Sequence, residues 1–282
     1  MRTSARRRAC GLAGWVLVGM LAWVLAGCAT RAPLPEPDPA RVDAPLAPAG
    51  IAVDAEWLLP PAPAAGLVLL QHGFDRSCAN LRGLAASLRQ RGLVVLCRRA
   101  DMAGGGRPAL ARALARAIAL GLRAPDGTAL PPAVIVAGHS AGAAFAARVG
   151  AALAALAPGR LAGALLLDPV TTPGFADALQ AIAGRGRPVL ALLAEPGRCS
   201  RHGDALPLLR GLPQPFIGLR IPGATHLDAE GEDTTALAVA ACGQGRPQPG
   251  PVAALRRIAA DWALDLAQGR PPRPEAGGLP LR

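Results

Sequence analysis

Six short runs of Val, Leu, Ile and Ala recur along the middle of the chain: 66–71 (GLVLLQ), 93–97 (LVVLC), 133–137 (AVIVA), 161–167 (LAGALLL), 188–193 (PVLALL) and 216–221 (FIGLRI). None alternates polar with apolar residues, so each reads as a strand buried on both faces. Longer amphipathic segments lie between them. In 109–120, Leu110, Leu114 and Ile118 share one helical face and Arg112 and Arg116 another. In 252–268, Val252, Leu255, Ile258, Trp262 and Leu266 form one stripe, with Pro251 near its start and Gly269 past its end. Strands alternating with helices on this scale predict an α/β domain with a doubly wound, mostly parallel sheet and helices on both faces. Residues 51–59 are expected to add one or two antiparallel edge strands. No internal linker interrupts residues 60–268, so a single domain is expected over 51–269, followed by a loose tail, 270–282.

The first fifty residues read differently. Residues 1–8 carry Arg2, Arg6, Arg7 and Arg8 with no acid, and 9–27 (ACGLAGWVLVGMLAWVLAG) are wholly apolar. A basic start, an apolar stretch and small residues at its end are the parts of a secretory signal peptide, expected over 1–27. The length of the apolar stretch also suits an uncleaved membrane helix. Leu25-Ala26-Gly27-Cys28 resembles the bacterial lipobox, which implies cleavage before Cys28 and a lipid on its thiol. Ala29 in place of Asp favours outer-membrane sorting in lipoproteins of that kind. The expectation is therefore an envelope protein anchored to the membrane through Cys28, facing the periplasm. Residues 28–50 would be a proline-rich, semi-stiff tether.

Export bears on charge and on cysteine. The formal net charge of +11 comes from 30 basic and 19 acidic residues, and every basic residue is Arg. Losing the four leader arginines leaves 26 against 19, or +7, spread along the chain. With 3% aromatic residues and no Tyr, the clustered basic stripe and stacking platforms of a nucleic-acid binder are missing, and no nucleic-acid partner is expected. Once Cys10 is removed and Cys28 lipidated, Cys78, Cys97, Cys199 and Cys242 remain, an even number in an oxidising compartment. Of three possible pairings, Cys78–Cys97 and Cys199–Cys242 are favoured, because each joins neighbouring elements of the expected fold. No C-x-x-C spacing supports a metal site, so neither metal nor cofactor is expected. A monomer is expected.

The chemistry concentrates at Gly138-His139-Ser140-Ala141-Gly142, between the strand run Val134–Ala137 and an Ala-rich helical stretch. A G-x-S-x-G in that context is a nucleophile elbow: Gly138 and Gly142 leave room for a very sharp turn, and Ser140 stands exposed at the carboxyl end of the sheet. A serine needs a base, and the expected chain order is Ser, acid, His. His72 precedes Ser140, and His139 sits inside the elbow with its side chain expected to point away from the nucleophile. Of the remaining two, His226 leaves the last predicted strand in IPGATH, and His202 is the alternative. The acid candidates are Asp168, at the end of LLLDPV, and Glu195 and Asp204, after the next strand. Asp168 leaves a strongly apolar strand and so is expected to be buried, as a carboxylate that orients an imidazole must be.

The set HGF (72–74), GHSAG (138–142), LLLDPV (165–170), Cys199-x-x-His202-Gly203 and GATHLD (223–228) resembles the chlorophyllase and platelet-activating-factor-acetylhydrolase-like branch of the α/β hydrolases, over roughly 64–268. The resemblance implies that fold, and an acid at Asp168. The elbow geometry makes the backbone N–H of Ala141, the residue after Ser140, one expected oxyanion donor, and the resemblance implies Phe74 as the other, with Asp75 the neighbouring alternative. The loop departs from the HGGG form of many lipases. The expected activity is hydrolysis of a small-molecule or lipid-like ester through an acyl-enzyme on Ser140. A thioesterase, a peptidase and a non-catalytic ligand-binding lipoprotein on the same scaffold are the other readings.

Overall fold

In the computed structural model, the residues described are 41–50, 53–61, 63–99, 102, 108–213, 216–273 and 278–281. The expected signal peptide, Cys28 and most of the tether lie outside them. The six apolar runs form strands β3 (Gly66–Gln71), β4 (Leu93–Arg99), β5 (Val134–His139), β6 (Leu161–Leu167), β7 (Val189–Leu193) and β8 (Phe216–Arg220). β1 (Arg41–Asp43) and β2 (Asp54–Leu58) precede them, and β9 (Leu279–Pro280) closes the sheet. The order is β1-β2-β4-β3-β5-β6-β7-β8-β9. β4 through β8 pair in parallel, while β1–β2, β2–β4 and β8–β9 are antiparallel.

Why the strands read as unbroken apolar runs is visible in the packing. Leu67, Leu69, Val134, Val136, Ala164 and Leu166 face one layer, and the intervening Val68, Leu70, Ile135, Ala137, Leu165 and Leu167 face the other. Two apolar layers sandwich the sheet, so both side-chain directions must be hydrophobic. One layer is closed by α2 (Pro108–Ala119), α3 (Gly142–Leu156) and α4 (Phe175–Ala183). The other is closed by α1 (Arg82–Gln90) and α7 (Pro249–Ala267), through Leu84, Leu88, Leu255, Ile258 and Trp262. Shorter helices α5 (Leu206–Arg210) and α6 (Ala236–Cys242) lie in the connections near the carboxyl ends of the strands.

Both ends of the domain extend beyond the expected limits. Arg41–Asp43, expected in the tether, pairs with Leu58, Trp57 and Glu56 of β2. The tail is not loose where it is described: Leu279 and Pro280 pair with Arg220 and Leu219. Arg270 engages the buried Asp265, and the Trp262 indole N–H donates to the Arg273 carbonyl at 2.9 Å. α7 starts at Pro249 rather than 252, with Pro in its first turn, where the missing N–H costs nothing. Cys78–Cys97 and Cys199–Cys242 are both disulfide-bonded, the first tying the segment before α1 to β4. No helix among the described residues is long and apolar enough to cross a membrane.

Candidate active site

The chain runs from β3 outward to β4, then crosses back to β5 and proceeds the other way to β8. The reversal opens a crevice between the carboxyl ends of β3 and β5, where parallel sheets place their sites. The loop after β3 carries His72-Gly73-Phe74, and the turn after β5 carries Ser140.

That turn is as tight as the sequence implies. β5 ends at His139 and α3 begins at Gly142, so Ser140 takes a left-handed φ of 55°. Such a conformation costs a non-glycine residue roughly 1–2 kcal/mol and persists only where its surroundings hold it. Here the Ser140 amide donates to the Leu167 carbonyl at 3.0 Å, and its own carbonyl accepts from Ala143 N at 3.1 Å. A Cβ at Gly138 would lie 2.5 Å from the Gly142 carbonyl oxygen. One at Gly142 would lie 2.2 Å from the His72 carbonyl oxygen. The two glycines therefore let the helix start rest directly on β5 and on the loop after β3.

His226 stands in the connection after β8, at the start of the short 3-10 turn His226–Ala229. Asp228 fixes this turn by accepting from Thr225 N at 2.7 Å. The His226 ring lies between two partners, with Nδ1 2.6 Å from Asp168 Oδ2 and Nε2 2.9 Å from Ser140 Oγ. His226 and Asp168 are 4% and 5% exposed. The carboxylate at Nδ1 keeps the ring proton there and leaves the Nε2 lone pair facing the hydroxyl. Asp168, at φ 40° just past β6, also accepts from Ala194 N through Oδ1 at 3.1 Å. Both its oxygens are thus held in place. A hydroxyl, an imidazole and a buried carboxylate in this series can move a proton off the hydroxyl as it attacks an electrophile.

The alternative residues do other things. Glu195 meets the histidine loop through its backbone, its N–H donating to Ala224 O at 2.9 Å and its carbonyl accepting from Gln244. Asp204 accepts from both the amide and the hydroxyl of Thr171. His202 is exposed, and the His72 Nδ1 lies 3.0 Å from the Gly73 carbonyl. One neighbour of the relay was not read from the sequence. His139, expected to point away from the nucleophile, is buried with its ring centroid 4.7 Å from that of His226, and its Nε2–H donates to the His226 carbonyl at 2.8 Å. Burial above all, and then His226, hold its imidazole well below the ordinary value near 6.5.

Ser140 and His226 open into a cavity of about 650 Å³, a size suited to a small organic ligand. Phe74 and Ala141, the expected oxyanion donors, and Asp75 all line it, and no hydrogen bond among the described residues takes up the N–H of Phe74 or Ala141. Opposite, α6 and the Cys199–Cys242 disulfide form a largely apolar wall. Among the described residues no group of three His, Cys, Asp or Glu side chains is gathered as a metal ion would require.

No family model matches the sequence, and no curated protein does. Solved structures match the fold. A dienelactone hydrolase from Anabaena variabilis has a TM-score of 0.58 at 19% identity, covering 79% of this chain and 95% of that one. The esterase domain of a Rhodothermus marinus protein gives 0.56 at 16% identity, covering 79% and 98%. A thermostable esterase from Pseudomonas putida gives 0.58 at 16% identity, covering 83% and 84%. The architecture is thus the α/β-hydrolase fold, as a doubly wound, mostly parallel sheet.

Proposed function

We propose that the protein is a serine hydrolase of carboxylic esters. The observation that carries this reading is the series Ser140 Oγ–His226 Nε2 at 2.9 Å and His226 Nδ1–Asp168 Oδ2 at 2.6 Å, opening on the cavity. The esterases that share the fold support it as analogy. In the proposed mechanism His226 Nε2 takes the Ser140 proton as Oγ attacks the ester carbonyl. The charge that develops on the carbonyl oxygen is met by the N–H groups of Phe74 and Ala141. Asp168 stabilises the resulting imidazolium, which then protonates the departing alcohol. Water, activated by His226, adds to the acyl-enzyme and releases the acid and free Ser140. The neutral, buried His139 braces one face of the His226 ring without competing for the proton.

The motifs resembling the chlorophyllase and platelet-activating-factor-acetylhydrolase-like branch support placement of the chain there. The protein is further proposed to be a periplasm-facing lipoprotein, held on the outer membrane through Cys28. Two disulfides fit an oxidising compartment. Labelling with a fluorophosphonate probe tests the enzymatic reading: wild type should be labelled, and Ser140→Ala should not. An unlabelled wild type, or equal labelling of both, would overturn it. Radiolabelled palmitate incorporation tests the anchor, with loss on Cys28→Ser expected and retention contradicting it.

A further inference from the structure

Among the described residues two arginines line the cavity, and their carboxylate partners hold them to different degrees. Arg76 donates from Nε to Glu230 Oε1 at 2.8 Å, and Glu230 is 1% exposed, so a buried carboxylate already neutralises that guanidinium. Arg201 is paired more loosely. Its nearest carboxylate, Asp204, is 3.8 Å away and already accepts both Thr171 bonds, and the Arg201 side chain is 63% exposed. Its one hydrogen bond among the described residues has NH1 donating to the Thr171 carbonyl at 3.0 Å. No other hydrogen bond among the described residues takes up the fork, and the residue lines the cavity.

The loop that presents Arg201 is held from several sides. Arg201 and His202 adopt consecutive left-handed conformations, φ 47° and 57°, which neither residue favours. The Cys199–Cys242 disulfide anchors the loop to α6. Ser200 Oγ bridges the amide and carbonyl of Gly197, and the His202 amide returns to the Gly197 carbonyl at 2.8 Å. A long cationic side chain on a preorganised loop loses less freedom on binding an anion than one on a free loop.

Asp75, Thr171 and Thr172 also line the opening, and much of what remains is apolar. Of the five large hydrophobic side chains exposed among the described residues, two line this cavity: Phe74, 61% exposed, and Leu237 on α6, 76% exposed. Exposed apolar surface gathered at a binding cavity is characteristic of a contact surface for ligand. Taking the ester-hydrolase reading as its base, we infer that the substrate is an amphiphilic ester, whose apolar body packs between Phe74 and Leu237 and whose anionic group is bound by Arg201. Carboxylate and phosphate both suit the guanidinium fork, and the shared requirement is negative charge with paired oxygens.

Two matched substrate pairs test this on the folded protein. 4-Nitrophenyl hexanoate against the mono-4-nitrophenyl ester of adipic acid places the charge on the acyl side. Methyl 4-acetoxybenzoate against 4-acetoxybenzoate places it on the leaving group. A phosphate-bearing aryl acetate replaces the latter's carboxylate in a third arm. Wild type should favour the charged member of at least one pair in kcat/KM, and the charged-to-neutral ratio should fall about ten- to hundredfold in Arg201→Gln. Arg201→Lys should retain part of the ratio, and Arg201→Glu should drive it below that of Arg201→Gln. Circular dichroism and fluorophosphonate labelling establish that each variant is folded with a working nucleophile. Hydrolysis of the neutral esters with a ratio that Arg201→Gln leaves unchanged would overturn the anion subsite and spare the ester-hydrolase reading. Absence of both labelling and hydrolysis in wild type would overturn both.

Discussion

His139 and His226 pack ring against ring, 4.7 Å apart and tilted by 40°, with the His139 Nε2–H bonded to the His226 carbonyl. The residue before the proposed nucleophile, Ser140, therefore holds the proposed base, His226, by its backbone and by its ring face at once. A proton on His139 would place a second cation against the imidazolium of the proposed mechanism, at a position buried from solvent. Its buried Nδ1 has no hydrogen-bond partner among the described residues, which suits a ring that stays neutral.

This neutrality makes stability depend on pH in a defined direction. The His139 pKa is depressed on folding, so below its ordinary value near 6.5 the unfolded chain binds a proton that the folded protein refuses. Its contribution is fully present above that value and is lost as pH falls below it, by about 1 kcal/mol between pH 6.5 and 5.5. His139→Gln keeps a donor for the His226 carbonyl and cannot titrate. Urea unfolding at the two pH values should show the wild type losing about 1 kcal/mol more than the variant. Equal losses would contradict the account.

Asp168→Asn should fold normally, because the side chain is isosteric and the oxygen that accepts from Ala194 N can remain. It should nonetheless lower kcat by roughly 10⁴, as the same change does in the serine-protease triad, since an amide N–H at Nδ1 favours the wrong tautomer and cannot neutralise the imidazolium. Glu195→Gln and Asp204→Asn should each stay within about tenfold of wild type, because neither carboxylate reaches His226. The three variants assayed on one activated ester decide it. A crippled Glu195→Gln beside an active Asp168→Asn would move the acid to the loop after β7.

Gly142→Ala should be far more damaging than its size suggests. The added methyl would lie 2.2 Å from the His72 carbonyl oxygen and 2.6 Å from that of Gln71, forcing apart the elbow and the loop that carries Phe74. Overpacking of this kind costs about 1–3 kcal/mol, and the displaced loop should also depress kcat. Gly159→Ala, where a Cβ meets nothing within 4 Å, should change stability by less than about 0.5 kcal/mol. Comparable denaturation midpoints for the two variants would show that the elbow is not held as tightly as described.

Much of this was legible in the sequence for identifiable reasons. Buried parallel strands must be apolar on both faces, and the elbow demands small residues at fixed offsets, so both leave local signatures. Asp168 could be ranked because it directly follows a recognisable strand, and His226 because it stands in the loop after another. β1 and β9 left no such signature: Arg41–Asp43 and Leu279–Pro280 are too short and mixed to show a period, and pairing with distant strands defines them. The inward packing of His139 and the loosely paired, exposed charge of Arg201 depend on which loops meet above the sheet. The difference between Arg201 and Arg76 is made by Glu230, which lies 154 residues from Arg76.

The most direct test is to find the acyl group. Wild-type protein mixed with an excess of a slowly deacylating nitrophenyl ester should release a burst of nitrophenol approaching one equivalent. Acid quenching and digestion should then place the acyl mass on Ser140, in the peptide ending at Arg148. Folded Ser140→Ala should show neither burst nor adduct. An acyl mass on any other residue, or steady turnover by Ser140→Ala at a rate near that of wild type, would contradict the proposed nucleophile.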